Sequence, residues 1–323
     1  MSLIKIGIAG LGTMGKQHCR VTSLLKDTEF IGVYDIDPIK CKEVALSFNV
    51  IPFSSYAEML SAVDAVIIAV PTTFHYEYVK EAILKEKHIF IEKPFVSNIQ
   101  EAEKILSLYR QKNNCLIQVG HIERFNPVIE LIKKFVAAPN IISIEAKRLC
   151  ETERNLDVDV ILDLMIHDID IILNLVGSKL QSITAIGSYL NHNKKNLDIV
   201  YAILTFQNGV IANLVANRVS KESLRSISIT EKQRVLTANY LTKQLQIYTN
   251  INSDIQTRDF TENSIDTIKV PPTEPLQSEI HHFVQSIITN TFPIVGPYEA
   301  TNALSVAMKI KESILTGETI YLT

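Results

Sequence analysis

The chain has 323 residues, of which 46% are hydrophobic and 21% are charged, with a formal net charge of −3. This length is sufficient for two domains that each have their own hydrophobic core. The near-neutral charge argues against nucleic acid or an anionic membrane surface as a partner. The richest apolar stretch, residues 160–176, is interrupted by Asp163, His167, Asp168 and Asp170, so we expect no membrane span.

The cysteines and histidines give no sign of a metal site. The four cysteines are widely spaced and form no CxxC pair, which fits reduced thiols in a cytoplasm better than zinc or disulfides. His281 and His282 are adjacent and would point to opposite sides, which is poor geometry for a metal. Lys5 interrupts any hydrophobic signal region at the N-terminus. We therefore expect a cytoplasmic protein with no bound metal.

The first 120 residues alternate short apolar runs with helical patterns. The runs typical of strands are Ile4–Ala9, Phe30–Tyr34, Ala65–Val70, His88–Ile91 and Leu116–Val119. Helical periodicity is clearest at Tyr76–Lys85 and Gln100–Lys112. Continuously apolar strands separated by helices indicate a parallel sheet that is covered on both faces. Residues 1–122 are therefore predicted to form a doubly wound α/β domain.

Beyond about residue 140 the pattern changes to long alternating segments. These segments are Ile141–Arg148, Leu180–Tyr189, Ile199–Phe206, Val210–Asn217 and Leu224–Ile229. Gln207-Asn208-Gly209 joins two of them with the Asn-Gly signature of a type I′ hairpin turn. Helical patterns occur at Leu162–Val176, Leu276–Ile288 and Tyr298–Leu315. Residues 123–323 are therefore predicted to form an α+β domain with an open, largely antiparallel sheet.

A glycine-rich motif, Gly10-Leu11-Gly12-Thr13-Met14-Gly15, follows the first predicted strand and opens a predicted helix. In that context GxGxxG permits a tight turn and a close approach of the backbone to pyrophosphate at the helix N-terminus. Asp35 lies twenty residues beyond Gly15, where its carboxylate can accept hydrogen bonds from both adenosine ribose hydroxyls and repel a 2′-phosphate. Asp35 therefore predicts a Rossmann domain that binds NAD rather than NADP. The adjacent Ile36 is a further candidate contact of the cofactor. The alternative is that Asp35 and Asp37 form a turn and a helix cap.

A second loop, Val70-Pro71-Thr72-Thr73-Phe74-His75, follows a later strand of the same half. Pro71 ends the strand, and Thr72 or Thr73 is placed to cap the next helix. Ligands of open α/β sheets bind at the carboxyl ends of the strands. Val70, Pro71, Thr72 and His75 are therefore also predicted to border the dinucleotide.

Lys93 follows the apolar run Ile89–Ile91 and precedes Pro94, which cannot extend the sheet. It is predicted to emerge at the carboxyl edge with Glu92 beside it, on the side where the nicotinamide would lie. A partly desolvated lysine next to a carboxylate can hydrogen-bond a substrate hydroxyl and transfer its proton. The alternative is a solvated strand end in which Lys93 pairs with Glu92.

Asp163 and His167 are spaced i and i+4 on a predicted helix that is apolar nearly all round. Such a helix is buried, so the carboxylate and the imidazole each need a hydrogen-bonding partner, which they can provide for each other. The carboxylate would hold one imidazole tautomer and raise its basicity, as general bases require. The alternative is a structural core histidine. The dinucleotide motif favours catalysis, because oxidation of an alcohol needs a proton acceptor.

Taken together, these motifs resemble the Gfo/Idh/MocA oxidoreductases, named after glucose-fructose oxidoreductase and inositol dehydrogenase. The resemblance covers nearly the whole chain and includes a C-terminal pattern, residues 274–283. It implies that Lys93 contacts the reacting hydroxyl, that His167 is the acid/base and that Asp163 supports it. It also implies NAD as cofactor and an open C-terminal sheet that forms a homodimer or homotetramer.

Two stretches, residues 119–127 and 162–170, resemble within that family the UDP-N-acetylglucosamine 3-dehydrogenases, which oxidise a sugar 3-hydroxyl to a keto group that an aminotransferase then uses. The resemblance implies a nucleotide-sugar substrate, although Arg218 stands where the subfamily has an aromatic residue. The candidate substrate contacts are Glu123, Arg124, Asn126, Arg148 and Arg154. A diphosphate needs local cations, and those of the second domain are Arg148, Arg154, Lys221 and Arg225, each of which could equally be solvated surface.

Other functions stay open at this level. One is an NAD-dependent dehydrogenase of another sugar or cyclitol. Another is hydrolysis of glycosides with tightly held NAD, as some members of the family perform, which would release free sugar without accumulating NADH. A redox-sensing module that binds NAD without turnover would have lost Lys93 or His167, and both are present.

Overall fold

The computed structural model describes residues 3–112, 114–151, 158–190, 196–250, 263–270 and 273–322. Contacts divide the chain into two compact units. Unit 1 comprises Met1–Ile122 and Glu274–Leu304, and unit 2 comprises Glu123–Thr273 and Ser305–Thr323. None of the helices among the described residues is both long enough and apolar enough to span a membrane.

The described residues form helices and strands in a regular order along the chain. The helices are α1 (Thr13–Thr22), α2 (Pro38–Phe48), α3 (Tyr56–Ala62), α4 (Thr72–Leu84), α5 (Ile99–Lys112), α6 (Pro127–Phe135), α7 (Ile166–Val176), α8 (Pro275–Thr289) and α9 (Pro297–Thr316). The strands are β1 (Ile4–Ala9), β2 (Thr28–Tyr34), β3 (Ile51–Pro52), β4 (Ala65–Ile68), β5 (His88–Glu92), β6 (Ile117–Gly120), β7 (Ile141–Glu151), β8 (Leu180–Ser188), β9 (Ile199–Phe206), β10 (Ile211–Asn217), β11 (Val219–Glu231), β12 (Arg234–Asn239), β13 (Gln244–Asn250), β14 (Asn263–Lys269) and β15 (Ile320–Tyr321).

Unit 1 is built on a six-stranded parallel sheet in the order β3-β2-β1-β4-β5-β6. This is the doubly wound order, in which the chain changes direction across the sheet between β1 and β4 and leaves a crevice at the carboxyl ends of those strands. Every residue of β4 is buried, as a strand covered on both faces requires. The predicted Rossmann domain is confirmed. The pattern does not predict β3, a two-residue edge strand.

Helix α8 packs with unit 1, although its sequence neighbours suggest the second domain. Ile280 and Phe283 are fully buried in the core that contains Ile6 of β1 and Phe90 of β5. The rings of Phe283 and Phe90 lie 5.9 Å apart, edge to face. Residues 274–304 therefore belong to unit 1 rather than to the continuous 123–323 segment expected from the sequence. Apolar periodicity identifies a buried helix face, but it does not identify what covers that face.

Unit 2 contains a nine-stranded sheet in the order β14-β13-β12-β11-β7-β10-β9-β8-β15. Neighbouring strands are antiparallel except for β7 and β10, which run parallel. Helix α7 packs on β7 and β10, and α6 packs on β12 and β13. The predicted open, largely antiparallel sheet is confirmed. The sequence pattern does not predict β12 to β15, in which polar residues obscure the alternation.

The β9–β10 hairpin is present, but its turn differs from the predicted type I′. The Phe206 N–H donates to the Val210 carbonyl at 2.9 Å, which leaves a three-residue loop at 207–209. Gly209 has a φ of +86°, whereas Asn208 is not among the residues with positive φ. A type I′ turn needs positive φ at both central residues. The predicted turn type is therefore wrong, because the glycine takes the single left-handed position that closes a three-residue loop.

Candidate active site

The glycine motif forms the turn between β1 and α1. Gly10 has a φ of +87°, and a Cβ there would lie 2.6 Å from the carbonyl oxygen of Ala69. A Cβ at Gly15 would lie 1.8 Å from the Gly10 carbonyl oxygen, whereas a Cβ at Gly12 would meet open space. The outer glycines thus serve the turn and the helix packing, and the central one leaves room for a ligand to approach the backbone.

Helix α1 begins without a side-chain cap at Gly12, so its first N–H groups are left for another acceptor. Gly12, Thr13 and Met14 are exposed at this end of the helix. Free N–H groups and the positive end of a helix dipole suit a pyrophosphate. The residues present therefore fit the phosphates of a dinucleotide.

Asp35 lies at the end of β2 and is tied to the glycine turn. Its Oδ2 accepts a hydrogen bond from the Leu11 N–H at 2.7 Å, and its Oδ1 accepts one from the Asp37 N–H at 3.0 Å. Asp37 itself caps α2 through the N–H groups of Ile39 and Lys40. Asp35 and Asp37 therefore form the turn and the helix cap that the sequence offers as the alternative, and contact of Asp35 with a ribose stays a prediction. Ile36 beside Asp35 is largely exposed.

His75 bridges two loops at the carboxyl edge. It is buried, with Nδ1 2.9 Å from the Pro94 carbonyl oxygen and Nε2 2.9 Å from the Val70 carbonyl oxygen. Burial lowers the pKa of His75, and a neutral imidazole donates from one nitrogen only. His75 can therefore donate to only one of these two carbonyls, and its ring packs between the backbone that follows β4 and the backbone that follows β5.

The expected threonine cap of α4 is wrong. Thr72 is the first helical residue, Pro71 occupies the cap position, and no side chain caps the helix. Proline has no N–H and a fixed φ, so it ends β4 and starts the helix without a polar cap. The exposed end of α4 consequently leaves its first N–H groups free of a side-chain cap.

Glu92 ends β5 and is held by a residue that the sequence motifs do not reveal. Its Oε1 lies 2.6 Å from Nε2 of His18, a fully buried residue of α1. Burial alone would raise the pKa of Glu92, but the His18 hydrogen bond and the Lys93 charge lower it below its usual value. Glu92 is thus an anion anchored by α1. The only sequence signal for His18 is its position on the buried face of that helix.

In unit 2, Asp163 and His167 lie at the start of the predicted helix, which opens differently from expectation. Ile161–Met165 form a π-helical turn, and α7 continues from it. Asp159 accepts hydrogen bonds from the N–H groups of Ile161 and Leu162 at 3.1 and 3.2 Å and caps this turn. His167 is 8% exposed and Asp163 is half-buried. Single π turns occur frequently at functional sites.

The predicted substrate residues Glu123 and Arg148 belong to a buried ion network against α7. The guanidinium of Arg148 donates to both carboxylate oxygens of Asp168, at 3.1 and 3.0 Å, and to Glu123 Oε1 at 2.8 Å. Burial opposes the charge of Arg148, but the two carboxylates outweigh it and raise its pKa. The same guanidinium lowers the pKa of Glu123 against the effect of burial, whereas burial raises that of Asp168. The ionised form is therefore favoured at Glu123, whereas burial opposes it at Asp168.

A second forked pair joins Arg124 to α7. Its Nε and Nη2 donate to the two carboxylate oxygens of Asp170 at 2.5 and 2.8 Å. Asn126 donates to Glu123 at 2.9 Å and caps α6 through the Val128 N–H. Substrate contact by these residues stays a prediction, and their observed partners give them another role, the anchoring of the helix that carries His167.

The remaining candidate cations, and Arg218, differ in their surroundings. Arg154 lies outside the described residues. Lys221 is highly exposed and pairs with Glu151. Arg218 donates to Asp198 at 2.7 Å and to the Val158 carbonyl at 3.0 Å, so it serves the framework of unit 2. Arg225 is half-exposed beside Glu123. Among the described residues, no group of acids, histidines and cysteines has the arrangement of a metal site.

Family models match both halves of the chain. Residues 4–121 match the oxidoreductase family with an NAD-binding Rossmann fold, and residues 148–234 match the GFO/IDH/MocA C-terminal domain. The chain is also 33% identical over 247 residues to UDP-N-acetylglucosamine 3-dehydrogenase of Acidithiobacillus ferrooxidans, covering 76% of this chain and 77% of that protein. The chain belongs to the Gfo/Idh/MocA family. It is an NAD-dependent oxidoreductase.

A solved structure and one further relative extend the comparison for this Gfo/Idh/MocA protein. A solved structure of UDP-N-acetylglucosamine 3-dehydrogenase GnnA from Acidithiobacillus ferrooxidans superposes with a TM-score of 0.88 at 28% identity, covering 98% of this chain and 99% of that one. The scyllo-inositol 2-dehydrogenase (NAD⁺) of Bacillus subtilis is 25% identical over 99% of this chain and 96% of its own length. The relatives therefore support a dehydrogenase of sugars or related polyols.

Proposed function

We propose that this protein oxidises a ring hydroxyl of a nucleotide sugar with NAD, and that its substrate is UDP-N-acetylglucosamine, oxidised at the 3-hydroxyl. The observation that carries the proposal is the similarity to the Acidithiobacillus ferrooxidans enzyme, which extends over three quarters of both proteins. A scyllo-inositol dehydrogenase is less similar, at 25% identity, but matches nearly full length. An uncharged cyclitol is therefore the second candidate substrate.

The proposed roles follow from the chemistry of alcohol oxidation. The hydroxyl group must lose its proton, and the carbon atom that carries the hydroxyl group must lose a hydride. NAD, when bound, accepts that hydride. Lys93, beside the anionic Glu92, donates a hydrogen bond to the reacting oxygen and orients it. His167 takes the hydroxyl proton as general base, and Asp163 stabilises the imidazolium that forms.

The cofactor contacts proposed for unit 1 are the ones its geometry accommodates. The glycine turn and the first residues of α1 would hold the pyrophosphate, and Asp35 the adenosine ribose. Val70, Pro71 and Thr72 end one side of the crevice, held there by His75. The keto product of a 3-dehydrogenase is a substrate for transamination, so we expect an aminotransferase to consume it.

We also propose that the chain forms a homo-oligomer through the outer face of the nine-stranded sheet. Ile186 and Tyr201 are direct cross-strand partners on β8 and β9, and both are exposed. Ile203 and Ile211 add further exposed apolar area on β9 and β10. An apolar area of this kind marks an interaction surface. Light scattering of the purified chain should then give a molar mass of at least twice the 36.3 kDa of one chain. A monomer would contradict the proposal.

The activity is tested by incubating the purified protein with NAD and a panel of UDP-sugars, scyllo-inositol and uncharged sugars while recording NADH absorbance. We expect NADH with UDP-N-acetylglucosamine and none with its 3-deoxy analogue. A coupled aminotransferase would draw the reaction forward, since oxidation of alcohols by NAD is unfavourable at neutral pH. NADH from scyllo-inositol alone would replace the proposal with the cyclitol reaction. Free sugar without NADH would indicate a glycoside hydrolase.

A further inference from the structure

On the helix-covered face of the sheet in unit 2, buried apolar side chains are followed along the strands by two arginines. On β11, Ile229 and Ile227 are buried on that face, and alternate residues of a strand share a face, so Arg225 comes next. The cross-strand partner of Arg225 on β7 is Arg148. Arg148 is buried, whereas 44% of the Arg225 side chain is exposed. Arg225 is thus the point at which this cationic row reaches solvent.

The two arginines do not share their counter-ions equally. Like charges directly opposite each other on neighbouring strands are unfavourable. Glu123 lies between them, with Oε1 2.8 Å from Arg148 and 3.9 Å from Arg225. Arg148 also has the Asp168 carboxylate, while the Arg225 guanidinium makes no hydrogen bond within the described part of the chain. A guanidinium carries five N–H donors, so Arg225 can bind an oxyanion while it remains near Glu123.

Arg225 also lies close to helix α7, which carries His167. Its cross-strand partner Arg148 donates hydrogen bonds to Asp168 of α7, and α7 packs on β7. A ligand bound to Arg225 would therefore lie near this helix.

We propose that Arg225 binds a phosphate oxyanion of the substrate, and that this contact makes the protein select phosphorylated sugars over uncharged polyols. Planar guanidinium groups bind phosphate through two parallel hydrogen bonds. Arg225 can turn toward a phosphate without breaking a hydrogen bond, since its contact with Glu123 exceeds hydrogen-bonding distance. The inference rests on the proposed sugar oxidation and adds the group that is recognised.

The phosphate could belong to a nucleoside diphosphate or to a sugar monophosphate, and binding measurements separate the two. Calorimetry is done on the full-length protein with NAD present, using UDP, glucose 6-phosphate and scyllo-inositol as probes. Arg225→Met should weaken binding of the phosphorylated probe about 10–100-fold, the usual effect of losing hydrogen bonds to a charged group. Arg225→Lys should fall in between, because it keeps the charge and loses the fork. Affinity for NAD and for scyllo-inositol should not change.

The matched control is Lys147→Met. Lys147 stands on β7 next to Arg148, points to the opposite face of the sheet and has a side chain 47% exposed, close to the 44% of Arg225. The Lys147→Met variant also removes one positive charge from this part of unit 2, but from the opposite face of the sheet. Binding of the phosphorylated probe should therefore stay within about twofold of wild type.

The outcomes separate this inference from the proposed reaction. If Arg225→Met weakens phosphate binding but UDP-N-acetylglucosamine gives no NADH, the phosphate-binding role of Arg225 stands and the proposed oxidation is wrong. Wild-type binding of UDP and glucose 6-phosphate by Arg225→Met overturns the role of Arg225 and leaves the reaction standing. Equal weakening in Lys147→Met would mean that loss of any nearby positive charge has this effect, which would overturn the specific role of Arg225. Failure of the wild-type protein to bind either phosphorylated probe would also overturn the inference.

Discussion

In unit 1, most groups at the cofactor edge are held by main-chain atoms, whereas in unit 2 the helix that carries His167 is held by buried side-chain ion pairs. Asp35 is fixed by the N–H groups of Leu11 and Asp37, and His75 lies against two backbone carbonyls. In unit 2, Arg148 and Arg124 reach α7 from segments distant in sequence. Glu92 is the exception in unit 1, since it depends on the side chain of His18.

This difference determines how each region should respond to substitution. Removal of a side chain that is held by main-chain atoms leaves only neutral N–H or carbonyl groups without that partner, so a change in unit 1 should remain local. Removal of one partner from a buried ion pair leaves an uncompensated charge and destabilises the fold. We therefore expect chemistry and cofactor choice to change in unit 1 with little loss of stability, and stability to change first in unit 2.

The largest effect is expected for Lys93→Met. The loss of a positioned proton-transfer group should lower kcat by about 10²–10⁴-fold while folding and NAD binding are retained. Lys85→Met, at the exposed end of α4, removes a lysine from the same unit and should change neither. Single-turnover rates with NAD provide the measurement. Turnover within a few-fold of wild type would remove Lys93 from the mechanism.

Arg148→Met tests the ion network directly. It leaves Glu123 and Asp168 buried without their shared cation and should lower the free energy of unfolding by about 3–5 kcal/mol. Lys147→Met on the same strand should change it by no more than about 0.5 kcal/mol. Urea denaturation of both variants gives the comparison. Equal stability of the two would show that the network contributes nothing to the fold.

The same variant has an expected pH dependence. Without Arg148, burial would raise the pKa values of Glu123 and Asp168, and a carboxyl with a raised folded-state pKa contributes stability at low pH that is lost as the pH rises. The stability deficit of Arg148→Met relative to wild type should therefore be larger at pH 7 than at pH 5. A deficit that is constant over this range would indicate lost packing rather than lost charge.

Asp35→Ala should weaken NAD binding about 10–100-fold and relax discrimination against NADP, because both the ribose acceptor and the repulsive charge are lost. The control is Asp37→Ala, which removes the cap of α2 and should cost about 0.5–2 kcal/mol of stability without altering cofactor choice. Kd values for both dinucleotides decide the matter. Unchanged preference for NAD in Asp35→Ala would overturn the ribose assignment.

The smallest expected effect concerns Asp163→Asn. If His167 is the base, kcat/KM rises with pH as the imidazole becomes neutral. Without the Asp163 carboxylate the imidazolium is less stable, so this limb should move to lower pH, with a reduced plateau. The pH profile is measured beside thermal melts. A His167→Ala protein that is destabilised yet fully active would instead assign His167 to the core.

Some features of this chain could be predicted because they depend on residues close in sequence. The five predicted strands of unit 1 agree with β1, β2, β4, β5 and β6 to within two residues, since buried parallel strands are continuously apolar. The glycine turn has the conformations that its motif requires. The loop 207–209 shows where this approach fails, because Asn-Gly is compatible with two hairpin loops that differ by one residue.

The buried charges could be foreseen only in part. Asp168 and Asp170 lie in an otherwise apolar helix, and a buried carboxylate must have a partner. Nothing in the local sequence indicates that these partners are Arg148 on β7 and Arg124 before α6, because strand pairing and helix packing bring them together. The sequence pattern groups Arg148 with Arg225 as candidate phosphate ligands, whereas of these two residues only Arg225 reaches solvent.

The sequence by itself determined the Rossmann unit, the NAD motif and the open sheet, because hydrophobic periodicity and turn chemistry act over a few residues. The family followed separately, from the resemblance of its motifs. Only the tertiary structure decided that α8 packs into unit 1, that His18 anchors Glu92 and which arginines are neutralised. These outcomes depend on contacts between residues far apart in the chain. Burial and the sharing of counter-ions at those contacts follow from the packing and not from the residue types alone.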